Sequence, residues 1–145
     1  MIGIDTNFLI DLDNPASPRH QNAYIFFDQW RKGSEDLYVY FNVFLEYQHV
    51  ITDAKRFENP LSMEEARQRV AFWNNQRRIK VIYSDDLSFS TAQNWMHKFQ
   101  LGRKRIADTH LAAAYFCNGI DKILTSNPKD FEIFNTFELI NLAYE

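Results

Sequence analysis

The sequence predicts an α/β sandwich with a largely parallel central sheet, and three observations lead there. Short apolar runs at residues 2–4, 38–41, 79–83, 122–124 and 137–142 have the length of buried strands. Between them, apolar residues recur at three- and four-residue spacing, as on amphipathic helices. Strand and helix alternate along the chain, the order that joins parallel strands through helical crossovers.

Residues 2–4 open the order, so Asp5 stands at a strand's carboxyl end and Asp5-Thr6-Asn7 reads as the turn before Phe8, Leu9 and Ile10. Ser17-Pro18 reads as a helix cap with proline at the first helical position, and Ala23, Phe26, Phe27 and Trp30 repeat at helical spacing as far as Gly33. The second strand, Tyr38 to Phe41, leads into a helix capped by Asn42. Its buried stripe of Val43, Tyr47, Val50, Ile51 and Ala54 also carries Glu46. Asn59-Pro60 breaks the chain, and Ser62 with Glu65 forms a capping box ahead of Met63, Ala66, Val70 and Trp73.

After the third strand, Ser84-Asp85-Asp86 starts a helix that turns Ala92, Trp95, Met96 and Phe99 to the core and ends near Gly102. Asp108 lies in the first turn of the next helix, on the face of Leu111, Ala112 and Tyr115, and Asn118-Gly119 closes it. The strand at 122–124, the turn Thr125-Ser126-Asn127-Pro128-Lys129-Asp130, a short helical stretch and the strand at 137–142 complete the order.

A length of 145 residues suits one domain, expected to span 1–145, and 46% hydrophobic with 16% aromatic content can build a sizeable core. The formal charge of −3 and pI near 5.8 exclude a global basic field, so any nucleic-acid contact has to come from local clusters. The sole cysteine, Cys117, reads as a core residue and cannot form an internal disulfide, which fits a reducing compartment. Neither a leader pattern nor a membrane-length apolar run occurs, so a cytoplasmic protein is expected.

Three acids stand at element junctions. Asp5 also reads as an ordinary turn residue, whereas Glu46 and Asp108 each adjoin apolar residues, where burying a polar group without a partner costs roughly 2–7 kcal/mol, and a lone charge more. Two readings compete: a carboxylate near a helix start gains only about 0.3–1 kcal/mol from the macrodipole and can lean to solvent, whereas several acids gathered at one sheet edge can hold a hard cation. Asn127 and Asp130 have the same two readings, helix cap or ligand. Thr125, Ser126 and Asn127 follow a strand directly, within reach of the edge that carries Asp5.

His20, His49, His97 and His110 are scattered, and Glu46-x-x-His49 is the one acid–histidine pair at metal spacing, whereas a di-iron bundle site needs two such copies. Oxygen ligands alone suit Mg²⁺ or Mn²⁺, which acidify water and stabilise charge on phosphoryl oxygens. Of the basic clusters, Arg103-Lys104-Arg105 lies immediately before the helix of Asp108 and reads either as a phosphate grip or as solvated surface.

Ile4-Asp5-Thr6-Asn7-Phe8-Leu9-Ile10, the helical Glu46, Ile106-Ala107-Asp108-Thr109-His110-Leu111-Ala112-Ala113-Ala114 and Thr125-Ser126-Asn127-Pro128-Lys129-Asp130-Phe131 follow one another over the whole chain. In order and spacing they resemble PIN-domain ribonucleases, in particular the VapC-type toxins of toxin–antitoxin pairs. The resemblance implies a three-layer sandwich around a mostly parallel sheet, and an acidic Mg²⁺ or Mn²⁺ site that hydrolyses RNA. It carries Asp5, Glu46 and Asp108 into the acidic core. Asn127 stands where some members place an acid and Asp130 follows three residues later, so either completes the set. Thr6 or Asn7 orients Asp5, and Thr125 or Ser126 serves as an outer ligand. It also implies an antitoxin partner and self-association.

Two alternatives remain on the sequence alone. A haloacid-dehalogenase-like phosphatase shares the strand-end Asp5 and the later Thr125-Ser126, but needs a second acid two residues after Asp5, where Asn7 stands. A non-catalytic RNA- or protein-binding module of the PIN-like fold is the other.

Overall fold

The computed structural model describes residues 1–143. Along the chain run β1 (Ile2–Ile4), α1 (Thr6–Asp13), α2 (His20–Lys32), β2 (Leu37–Tyr40), α3 (Phe41–Ile51), α4 (Met63–Asn74) and β3 (Ile79–Ile82). After these come α5 (Asp86–Lys98), a 3-10 turn at Arg103–Arg105, α6 (Ile106–Cys117), β4 (Lys122–Thr125), α7 (Lys129–Glu132) and β5 (Glu138–Asn141).

All four strand pairings are parallel and the spatial order is β3-β2-β1-β4-β5. Ile4 lies opposite both Val39 of β2 and Leu124 of β4. Because β1 to β3 grow outward in one direction and β4 returns to the other side of β1, right-handed crossovers put α1–α4 on one face and α5–α7 on the other. The packing of α1 on α2 and α3, and of α6 on α5 and α7, follows this division. Both faces of the sheet are covered, which is why Ile4, Leu37, Val39, Ile123 and Leu124 are buried without polar alternation.

Several local expectations shift. Asp5-Thr6-Asn7 is not a turn: Asp5 has extended backbone and caps α1 directly, its Oδ1 accepting from the Thr6 N–H at 2.8 Å. Pro18 does not open α2. Arg19 occupies the N-cap, and the Ser17 hydroxyl accepts from the Arg19 N–H at 3.2 Å while also donating to Asp11 at 2.7 Å. Asn42 is no cap, because α3 begins at Phe41 straight from β2. Cys117 is half-buried, and its Sγ lies 3.5 Å from the Thr91 Oγ1 of α5. The capping boxes at Ser62–Glu65 and Asp85–Ser88 form, as does the close of α6 at Asn118, where Gly119 takes a φ of 72°.

The aromatics around Glu46 divide by burial. Tyr40, Phe44 and Tyr47 are buried, while Tyr38 and Phe41 are half-buried. The Tyr47 hydroxyl donates to Asp13, which Arg69 pairs at 3.0 Å, so a fully buried ring keeps its polar tip satisfied.

Tyr115 of α6 is fully buried, and its hydroxyl accepts from the Tyr40 N–H at 3.0 Å. It donates to the Ile4 carbonyl at 2.6 Å, with the Tyr38 carbonyl at 3.2 Å. The ring lies so close over Gly3 that a Cβ there would stand 2.5 Å from Tyr115 Cε2. We therefore expect Gly3→Ala to destabilise the fold by about 1–3 kcal/mol through overpacking. Tyr115→Phe should lose about 1–3 kcal/mol by leaving buried strand groups unpaired. Urea denaturation checks both, and an unchanged midpoint in either variant contradicts the bridging role of Tyr115.

Candidate active site

The reversal of strand order beside β1 makes the carboxyl ends of β1 and β4 the topological switch point, the place where open parallel sheets hold their ligands in a crevice. Asp5 follows the last residue of β1 and Thr125 is the last residue of β4. The Thr125 hydroxyl donates to Asp5 Oδ2 at 2.9 Å and itself accepts from the Asn127 N–H at 3.0 Å. On the other side of Asp5, the Thr6 hydroxyl donates to Glu46 Oε2 at 2.9 Å. A hydrogen-bonded chain thus runs from Asn127 through Thr125, Asp5 and Thr6 to Glu46, joining residues more than a hundred positions apart.

Glu46 is exposed, contrary to its expected place in a buried stripe. Val43, Tyr47 and Val50 turn inward, and residue 46 falls on the margin of their face, over Thr6. Asp108 is half-buried in the first turn of α6. Asn7 is half-buried on the first turn of α1, and Asn127 is exposed in the loop after β4. The side chain of Asn127 does not cap α7, while its carbonyl accepts from the Asp130 N–H at 3.1 Å.

The acids feel one another. Burial lifts Asp108 from the ordinary 3.8 to about 7, with Asp5, Asp130 and Glu46 pushing the same way and Arg105 opposing them. Burial also lifts Asp5 to about 6, helped by Glu46 and Asp130 and resisted by the hydrogen bonds from Thr125 and Thr6. Among the described residues, no three Asp, Glu, His or Cys side chains are grouped tightly enough to enclose a cation by themselves. The acids stand as separate oxygen donors, close enough to act on one another. Such a set fits Mg²⁺ or Mn²⁺, which keep several waters and bind through few carboxylates plus substrate phosphate. Ser126 adds a buried Oγ with no hydrogen-bond partner among the described residues.

The basic cluster separates into two parts. Arg103 and Lys104 are exposed on the 3-10 turn, whereas Arg105 is half-buried and donates from Nη2 to the Asp130 carbonyl, tying α7 to the start of α6. Its Nε is buried without a partner among the described residues. Sequence reasoning missed this clamp, and it also missed Asp11, which is 2% exposed and bound by Arg19 at 2.9 Å. Only an acid–base pair eight residues apart hinted at the second.

Fold and site together define a parallel α/β protein with an acidic crevice at its topological switch point. The PIN domain profile matches residues 2–134, and the chain belongs to the PIN domain family. No curated protein matches the chain. Among solved structures, FitAcB from Neisseria gonorrhoeae superposes with a TM-score of 0.70 at 15% identity, covering 100% of both chains. VapBC-1 from nontypeable Haemophilus influenzae superposes with a TM-score of 0.68 at 14% identity, covering 99% of this chain and 100% of that one. VapC20 from Mycobacterium tuberculosis, described as a sarcin-ricin loop cleaving toxin, has a TM-score of 0.64 at 18% identity over 85% of this chain and 87% of its own. These likenesses show the fold. With Asn7 in place of the needed acid, the family match sets the phosphatase alternative aside.

The raised carboxylates have a stability consequence of definite sign. Asp108 titrates near 3.8 when unfolded and near 7 in the fold. Between those values the folded state holds the extra proton, so metal-free stability falls as pH rises through that window. Asp108→Asn should raise the urea midpoint of chelator-treated protein at pH 8 and change it little at pH 4. An equal gain at both pH values contradicts the electrostatic origin.

Proposed function

We propose that this chain is a metal-dependent endoribonuclease acting in the cytoplasm as the toxin of a toxin–antitoxin pair. One observation carries the reading: Asp5, Glu46 and Asp130 all lie near enough to Asp108 to push its carboxyl up, and hydroxyl hydrogen bonds hold Asp5 and Glu46. Membership of the PIN domain family and the likeness to toxin structures support it.

Asp5, Glu46 and Asp108 would hold Mg²⁺ or Mn²⁺, with Asp130 or Asn127 completing the set. When bound, the cation supplies an acidified water and neutralises charge developing on the phosphate. Thr125 and Thr6 hold the Asp5 and Glu46 carboxylates in place, so they need not reorganise as substrate enters. Arg103 and Lys104 hold backbone phosphates beside the acids, and Arg105 fixes the loop of Asp130.

A basic antitoxin segment would pair with the same carboxylates and displace the cation. Exposed Leu45, Leu87, Phe89 and Ile106 offer apolar surface for that partner and for self-association. The non-catalytic alternative, a PIN-like module that only binds RNA or protein, differs in one measurable respect: it has no cation-dependent turnover.

Purified protein should cleave RNA only with Mg²⁺ or Mn²⁺, and Asp5→Asn or Asp108→Asn should lower the rate at least about a hundredfold with the fold retained. Activity surviving excess EDTA, or an undiminished Asp108→Asn variant, rules the mechanism out. Replacing Arg103 and Lys104 by Gln should flatten the salt dependence of RNA affinity by roughly one slope unit for each phosphate left without its cation. An unchanged slope assigns them to plain surface. Expressed alone in bacteria, the chain should arrest growth and be rescued by the adjacent reading frame; unimpaired growth with intact protein removes the toxin role.

A further inference from the structure

At the end of the sheet beyond the acids, two rings stand in a row with them. Phe41 follows the last residue of β2 and Tyr83 the last residue of β3, and the register that pairs Tyr40 with Ile82 puts them level. Their rings stack at 5.7 Å between centroids and 21° between planes. Beneath them, Tyr40 meets Phe41 edge-on at 5.0 Å and 75°, and Tyr40 is itself buried. Tyr83 is 66% exposed, the largest exposure of any big apolar side chain among the described residues.

Exposing a tyrosine ring to water while stacking it on a supported neighbour forfeits the burial that most aromatics in this chain obtain. The order β3-β2-β1-β4 sets Tyr83, Phe41, Asp5 and Thr125 side by side along one edge. Two strand spacings separate β3 from β1, or about 10 Å. A single-stranded chain whose phosphate lies among the carboxylates would therefore bring a neighbouring base over Tyr83.

We propose that Tyr83, backed by Phe41, is a stacking platform for an RNA base flanking the cleaved phosphodiester, a substrate-positioning site at the β3 end of the crevice. The proposal rests on the ribonuclease reading above. Asp85 and Asp86 follow Tyr83 closely in sequence, with Asp85 engaged in capping α5, so this end of the edge favours the face of a base over a phosphate. Stacking is tolerant of base identity, so the platform sets where the strand lies more than which sequence it has.

The test uses the full chain carrying Asp108→Asn and a short single-stranded oligoribonucleotide with one 2-aminopurine, moved along the strand. In the background with Tyr83 intact, one position should show quenched fluorescence on binding. Adding Tyr83→Ala should abolish that quenching and weaken binding about tenfold, with the salt dependence unchanged. Tyr83→Trp should restore both, and Phe41→Leu should reduce the quenching partially. In otherwise unaltered protein, Tyr83→Ala should raise KM for RNA more than it lowers kcat. Equal quenching and affinity with and without Tyr83→Ala overturns the platform while leaving the nuclease intact. Tyr83-dependent quenching without cation-dependent cleavage overturns the nuclease and keeps an RNA-binding platform. No RNA binding by any form overturns both.

Discussion

The contact between Tyr115 and Gly3 is the constraint on which the site depends. A hydroxyl carried by α6 satisfies groups at the carboxyl ends of β1 and β2, and the ring can reach them because residue 3 has no side chain. Asp108 lies seven residues earlier, two helical turns away on the same face. Docking Tyr115 into the strands therefore fixes both the depth and the rotation of α6, and so brings Asp108 to the crevice. Thr109, fully buried, donates from its hydroxyl to the Arg105 carbonyl at 2.6 Å and steadies the first turn of the same helix.

The opposite flank of the crevice is fixed through α1. Asp5 begins this helix, and three side chains farther along anchor it: Asp11 to Ser17 and Arg19, Asp13 to Tyr47 and Arg69, and Phe8 edge-on to Phe26 at 5.5 Å. Asp11 is buried and fully engaged, so its charge serves the fold. Asp5 and Asp108 differ from it: each is lifted well above the ordinary carboxylate range and neither has a cationic side chain hydrogen-bonded to it. Burying mutually repelling acids without such a partner destabilises the fold locally, the pattern expected where stability has been given up for binding or chemistry.

The polar and aromatic features of the carboxyl edge are ordered by strand position. Hydroxyls and carboxylates occupy the ends of β1 and β4, where the crossovers diverge and leave room. Aromatic rings occupy the ends of β2 and β3, on the other side of β1 from β4. Trp95, stacked on Phe134 at 4.9 Å and against Phe116 at 5.3 Å, packs within the α5–α7 face as its helical spacing suggested.

By itself, the sequence determined most of what depends on neighbours within about four positions: the strands and, α1 apart, the helices in their order, the capping boxes at Ser62 and Asp85, the glycine close of α6, and the first-turn position of Asp108. Hydrophobic period and capping chemistry act over that range, so they are written locally. The motif residues named the acids but not their surroundings. Tertiary structure alone decided that Glu46 is exposed and held by Thr6 across forty residues. It alone also bound Thr125 to Asp5 across a hundred and twenty, turned Arg105 from the basic cluster to the Asp130 carbonyl, and made Tyr115 a strand bridge. Those contacts exist only after five parallel strands have been assembled in the order β3-β2-β1-β4-β5, because parallel neighbours must be joined through long crossovers and no local pattern records which ends will meet.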